Sequence, residues 1–240
     1  MRVLITRPRE DAESLAAILG ERGIDALVEP LLEIRLLPDA VVTLDGVQAV
    51  LLTSANGARA FGGLCDRRDV PVFAVGAATA RTARDLGFSN VHSAGGDIGD
   101  LAHLAAARLD PRAGALLHVA GTEIAGDLSG ILGGRGFSVR RATLYEARPV
   151  AALSSRVMAA MADGSLDAAL FFSPRTASAF VNLARGADVA EKCATIDAIC
   201  LSAAVSKALE GLTWRSRRVA DRPDQASLLA CLQHSLEDRA

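Results

Sequence analysis

Two stretches of this 240-residue chain set a serine between an apolar run and a helix-forming run: LLTSANGARAF (Leu51–Phe61) and LFFSPRTASAF (Leu170–Phe180). Laid over each other they share Leu51/Leu170, Ser54/Ser173, Ala58/Ala177, Ala60/Ala179 and Phe61/Phe180. A serine so placed has two readings. It caps the following helix by accepting a backbone N–H, or it joins the free N–H groups of the first helical turn in holding an anion. Four more turns follow apolar runs: TRPRE (6–10), GAATA (76–80), AGTEI (120–124) and SAAVS (202–206). Each opens a helix whose positive dipole end favours carboxylate or phosphate. Several such turns at one edge of a sheet favour a binding cleft over a set of isolated caps.

Tyr145 is the chain's single tyrosine, in ATLYEARP. It reads either as an aromatic packed on a half-buried strand or as a hydroxyl at the mouth of a cleft. Arg140, Arg141 and Arg148 nearby suit an anion or a solvated strand face equally.

The signatures of other chemistries are missing. No GxGxxG follows a strand, and the nearest approach to a phosphate loop, GTEIAG (121–126), runs on into Asp127 and Leu128 instead of Lys and Ser/Thr. There is no GxSxG. Lys192 and Lys207 are the only lysines, which leaves few amines for a Schiff base. Cys65, Cys193, Cys200 and Cys231 form no CxxC pair and read as small buried hydrophobes of a reducing compartment. His92, His103, His118 and His234 are dispersed, so we expect no metal. A net charge of −2 gives no field for nucleic acid or anionic lipid. The opening MRVLITRPRE enters a strand at once, and no apolar run approaches a membrane span. We expect a cytoplasmic monomer that binds neither nucleic acid nor membrane.

The elements that position these turns are written twice. Leu4–Gly23 over Leu117–Gly136 gives nine identities in twenty pairs, among them Leu15/Leu128, Ile18/Ile131 and Leu19/Leu132 on one helix face and Gly23/Gly136 at its end. VFAVGAATARTA (Val72–Ala83) matches AICLSAAVSKAL (Ala198–Leu209), and DLAHL (Asp100–Leu104) matches SLLACL (Ser227–Leu232), in the same order along the chain. Tyr145 falls opposite Leu32. RVLIT, AVLLT, VFAVG, ALLHVAG, AALFFS and AICLS are unbroken apolar runs, as strands covered on both faces are. The fold class is therefore α/β: two similar doubly wound parallel-sheet domains. ALVEPLLEIRLLP (Ala26–Pro38) and SVRRATLYEARPV (Ser138–Val150) read as extended connectors able to pair as a two-stranded ladder. Only the last few residues of HSLEDRA suggest an unstructured end. The repeat leaves open whether the domains are sequential halves.

The chain resembles the uroporphyrinogen-III synthases over essentially its whole length. The similarity rests on Thr6-Arg7-Pro8, Thr53-Ser54, the Gly76–Ala80 turn, Gly121, Leu144-Tyr145-Glu146 and the Asp167–Pro174 segment, in the family's order. It departs at Ser202-Ala203-Ala204-Val205, where the family has Gly-x-x-Thr. The resemblance implies a discontinuous first domain (1–35 with 149–240) and an inserted second (36–148), with linkers near 26–38 and 138–150. It implies a cofactor-independent lyase that closes hydroxymethylbilane with loss of water and inversion of ring D. Tyr145 would assist the leaving hydroxyl. Thr6, Arg7, Ser54, Ala55, Gly76, Thr79, Gly121, Thr122, Ser173, Pro174, Arg175 and Ser202 would bind the substrate. From the residues alone, a two-lobed small-molecule binding module is the alternative.

Overall fold

The computed structural model describes every residue except Ala125, Arg239 and Ala240 and, for Leu236, the backbone alone. Along the chain run β1 (Arg2–Ile5), α1 (Arg9–Glu21), β2 (Asp25–Val28), β3 (Leu32–Leu36), β4 (Val47–Leu52), α2 (Ala55–Leu64), β5 (Val72–Ala74), α3 (Ala77–Asp85), β6 (Val91–Ser93) and α4 (Ile98–Arg108). Then come β7 (Ala115–Gly121), α5 (Leu128–Gly133), β8 (Val139–Pro149), α6 (Ser155–Ala162), β9 (Ala168–Phe171), α7 (Pro174–Gly186), β10 (Asp197–Cys200), α8 (Ala203–Ala208), β11 (Ser216–Val219) and α9 (Gln225–Glu237), with a 3₁₀ turn at Ala190–Thr195. Two compact units result, Met1–Glu33 with Arg148–Ala240, and Ile34–Ala147.

The six apolar runs are six strands, β1, β4, β5, β7, β9 and β10, and helices cover both faces of their sheets. In the first unit five parallel strands lie in the order β2-β1-β9-β10-β11. Side chains alternate between two cores, as the pleat requires. Val3, Ile5, Leu170 and Ile199 meet Leu15, Leu19, Leu228 and Leu232 of α1 and α9. Leu4, Phe171 and Cys200 face the other way, onto Val157, Phe180 and Val205 of α6, α7 and α8.

The second unit stacks β8-β7-β4-β5-β6 in parallel, with β3 outside β8. Val50, Leu52 and Val119 pack towards α2 and α3, while Ala49, Leu51 and Phe73 pack towards α4 and α5. Numbered along the chain within the unit, the first sheet reads 2-1-3-4-5, and the second gives the same order when counting starts at β7. Their strand orders therefore reverse at equivalent places, between β1 and β9 and between β7 and β4. Such a switch point is where doubly wound sheets open a crevice beyond the carboxyl ends of their strands.

The repeat also reproduces a helix ending. Gly23 (φ +72) and Gly136 (φ +85) both take the left-handed conformation open to glycine. Ile24 N–H donates to the Leu19 carbonyl at 3.0 Å and Phe137 N–H to the Leu132 carbonyl at 3.1 Å, closing α1 and α5 alike.

Several elements differ from expectation. The first connector is not one stretch: it breaks at Glu29–Leu31, so that β2 joins the first sheet and β3 the second. Pro30 lacks the N–H that a strand interior needs. The expected pairing of the two connectors is present, as β3 beside β8, but β8 also pairs with β7 through Val139–Tyr145 and so belongs to the second sheet. Leu37 N–H bonds the Leu144 carbonyl and Val150 N–H the Leu31 carbonyl, so the register descends along β8 and β3 runs antiparallel. β6 and β11 are short, polar strands at the sheet edges, which apolar runs could not reveal. AGTEI does not open a helix directly, since α5 starts only at Leu128 under an Asp127 cap. Helix α9 runs on to Glu237, and Arg239 and Ala240 of the expected loose end lie outside the described residues.

Candidate active site at the β4–β7 switch point

Ser54 follows β4 and ends its extended chain at φ −157, with its Oγ accepting the Gly57 N–H at 3.0 Å to cap α2. Gly121 closes β7 across the switch point. Tyr145 comes from β8 by way of a bulge: Ala120 pairs with Thr143, yet Gly121 pairs with Tyr145. The skipped residue, Leu144, shifts the alternation by one, so Ala142 and Leu144 are buried and then Tyr145 and Ala147 are as well. A bulge re-aims a side chain in this way. The Tyr145 ring lies against Gly121, where a Cβ would stand 2.9 Å from its Cε2 and 3.0 Å from its Cζ. Its hydroxyl meets Ser54 Oγ at 2.9 Å. The Thr122 N–H donates to the Tyr145 carbonyl at 3.0 Å and pins the backbone.

These three residues share a hollow of about 590 Å³ at the carboxyl ends of the second sheet's strands. Thr53 and Val75 complete its floor, and Gly96, Asp97, Ile98, Gly99, Glu123, Ile124, Gly126, Asp127 and Ile131 form its wall. Ile124 and Ile131 are exposed apolar side chains at its rim. Asp97 and Asp127 turn one oxygen each to a backbone N–H, of Asp100 and Gly130, as caps of α4 and α5. Beneath the floor, His118 is buried with Nε2 at 3.5 Å from Thr53 Oγ1. Burial and then the nearby Arg141 guanidinium push its pKa down to about 4, which keeps the ring neutral.

Two of the arginines near Tyr145, Arg140 and Arg141, serve the backbone. Arg141 donates to the carbonyls of Gly121 at 2.7 Å and Thr122 at 3.1 Å, and Arg140 to that of Asp45 at 2.7 Å. At α3, Gly76 is an N-cap without a side chain, so the N–H groups of that first turn have no side-chain cap. Ala77 and Ala78 are exposed there, Ala55 is half-buried at the start of α2, and Thr79 is buried.

The remaining expected residues lie at the matching edge of the first unit. Thr6 is 1% exposed and donates its hydroxyl to the Leu170 carbonyl at 2.7 Å, tying β1 to β9 across the switch point. Arg7 packs 4.6 Å over the Phe172 ring, donates to Gln225 Oε1 at 3.1 Å and lies 3.8 Å from Asp11. Ser173 caps α7 through the Thr176 N–H, with Pro174 at the first helical position and Arg175 half-buried beside it. Ser202 caps α8 through the Val205 N–H at 3.4 Å.

A family model described as uroporphyrinogen-III synthase HemD matches residues 13–230 of the 240. The chain belongs to the uroporphyrinogen-III synthase family. That family is a cofactor-independent lyase of tetrapyrrole biosynthesis acting on a small molecule. Solved structures agree in fold. A uroporphyrinogen-III synthetase from Helicobacter pylori superposes with a TM-score of 0.62 at 20% identity, over 98% of this chain and 100% of that one. A mutant uroporphyrinogen III synthase from Thermus thermophilus gives 0.56 at 21% identity, over 99% of both. A search of curated proteins gives no significant match. Among the described residues no group of three or more His, Cys, Asp or Glu could hold a metal ion, and no helix is long and apolar enough to cross a membrane.

Within a synthase of this family the departure at Ser202–Val205 has a local meaning. Ser202 supplies the cap that a glycine lacks, and the Val205 side chain, 1% exposed, joins the core. The wall residues Gly96–Gly99 went unnoticed in the sequence. Their signal was GGDIGD, two glycines before an acidic cap whose Asp97 and Asp100 form a capping box.

Proposed function

We propose that the chain turns hydroxymethylbilane into uroporphyrinogen III as a cytoplasmic monomer, with Tyr145 as the proton donor to the departing hydroxyl. The observation that carries this reading is a tyrosine hydroxyl, paired with Ser54, in a hollow at a sheet switch point of a family member. As the C–O bond of the hydroxymethyl group breaks, the Tyr145 proton goes to the leaving oxygen, which departs as water. An azafulvenium cation and a phenolate remain. The substituted carbon of ring D attacks the cation, the spiro intermediate fragments, and ring D rejoins inverted. The proton shed from the pyrrole carbon at closure returns to Tyr145, so nothing is consumed besides the substrate.

Charge sorts the substrate's parts. Glu123, Asp97 and Asp127 line the hollow, which suits a cationic pyrrole and repels the carboxylate arms. The arms are assigned to helix N-termini: the uncapped start of α3 at Gly76, with Thr79 one turn in, and the first-turn N–H groups beyond Ser54 and Ala55. In the first unit the equivalent donors begin at Ser173, Arg175 and Ser202; Pro174 has no N–H to give. Much of the barrier is the entropy of bending a flexible chain into one reactive conformer.

The test is Tyr145→Phe. A phenol is a weak acid at neutral pH, so turnover of hydroxymethylbilane is expected to fall about ten- to a hundredfold, at the low end of general-acid effects. Unchanged turnover would remove Tyr145 from the mechanism.

A further inference from the structure

We infer that Ser54 is a positioning residue that acts through Tyr145, holding the charge that develops on the phenol oxygen, and does not anchor a substrate carboxylate. The inference rests on the role of Tyr145 proposed above. Ser54 Oγ already accepts the Gly57 N–H at 3.0 Å, which occupies one lone pair and polarises its own O–H. The Tyr145 oxygen is 2.9 Å away. When the phenol releases its proton to the leaving hydroxyl, the new oxyanion needs a donor already in place, and the Ser54 O–H is that donor. A chain of donation then runs from the first turn of α2, through Gly57 N–H and Ser54 O–H, to the Tyr145 oxygen. Such preorganised donation stabilises a transition state at no cost in reorientation. Gly121 lets the ring reach this position, because any side chain there meets Cε2 and Cζ.

Ser173, the repeat counterpart, shows what is special about Ser54. It caps α7 in the same way, but its Oγ turns to Thr176 Oγ1 at 2.8 Å within its own helix. Leu32, the repeat partner of Tyr145 in sequence, opens β3 in the second sheet instead. The second task therefore exists in one copy of the duplicated cap alone.

Ser54→Gly separates the two tasks, since glycine is nearly as good an N-cap as serine but carries no hydroxyl. With hydroxymethylbilane, kcat is expected to fall about tenfold, as for a lost hydrogen bond to a charged group, with KM unchanged. Ser54→Thr, which keeps the hydroxyl, is expected to recover most of the rate. In the Tyr145→Phe background Ser54→Gly should have no further effect. A rise in KM at constant kcat, or losses that multiply with Tyr145→Phe, would overturn the inference and return Ser54 to substrate binding. The hydroxyl pair is read separately in the free protein. Tyr145 is the only tyrosine, so isotope labelling at tyrosine Cζ gives one resonance, and Ser54→Gly, or Ser54→Ala should the glycine variant fold poorly, is expected to shift it while Ser54→Thr does not. An unmoved resonance would overturn the pairing whatever the kinetics. Full activity of Tyr145→Phe would instead sink the role of Tyr145, with the pairing itself still decided by the resonance.

Discussion

Tyr145 owes its place to a glycine and a serine, and the glycine makes the sharper prediction. A Cβ at position 121 would stand 2.9 Å from Tyr145 Cε2 and 3.3 Å from its carbonyl oxygen, and the carbonyl cannot yield without breaking the bulge. Gly121→Ala is expected to fold, at a cost of about 1–3 kcal/mol for overpacking, while displacing the ring and lowering kcat about tenfold or more. Thermal unfolding and steady-state kinetics on one preparation check both halves; a variant with wild-type kcat would mean that the ring position does not matter. The identities of these residues were legible in the sequence, but their geometry was not. Strict alternation along ATLYEARP would put Leu144 and Tyr145 on opposite faces, and only the one-residue slip in β8 brings both inside. Thr6 shows a different gap between motif and geometry. Its motif pointed to a ligand, whereas its hydroxyl is satisfied by the neighbouring strand at 2.7 Å.

Among the elements, the strand-to-helix turns at the serines were the most readable, because capping is one of the two readings of a serine after an apolar run, and Ser54, Ser173 and Ser202 all cap the next helix. Elements without such chemistry stayed hidden: β6 has three residues and β11 reads SRRV, so neither carries an apolar pattern. The β7–β4 pair carries a pH prediction. His118 sits on β7 with its pKa lowered from 6.5 to about 4 by burial and Arg141. The folded protein refuses the proton that the unfolded chain accepts below pH 6.5, so stability is complete above that pH and declines as the pH falls towards 4. The decline attributable to His118 is about 3 kcal/mol across that window. Urea unfolding of wild type and His118→Leu as a function of pH checks this: the variant is expected to show the flatter profile between these limits, and parallel profiles would contradict it.

At the scale of the whole chain, the two sheets share one strand order entered at two different points. The repeat of Leu4–Gly23 in Leu117–Gly136 was enough to show that the halves are alike. It could not say which strands share a sheet, since equivalent strands fit either partner equally well. The break at Pro30 decides that, sending the chain from β2 in one sheet to β3 beside β8 in the other. Duplication followed by divergence also explains why the tyrosine exists only once. The central claim is that this chain directs hydroxymethylbilane away from its spontaneous closure, which yields the symmetric isomer. The most direct measurement is incubation of the purified protein with hydroxymethylbilane and separation of the product isomers. The type III isomer is expected to dominate, at a rate above the uncatalysed one; type I alone, formed at the uncatalysed rate, would contradict the account.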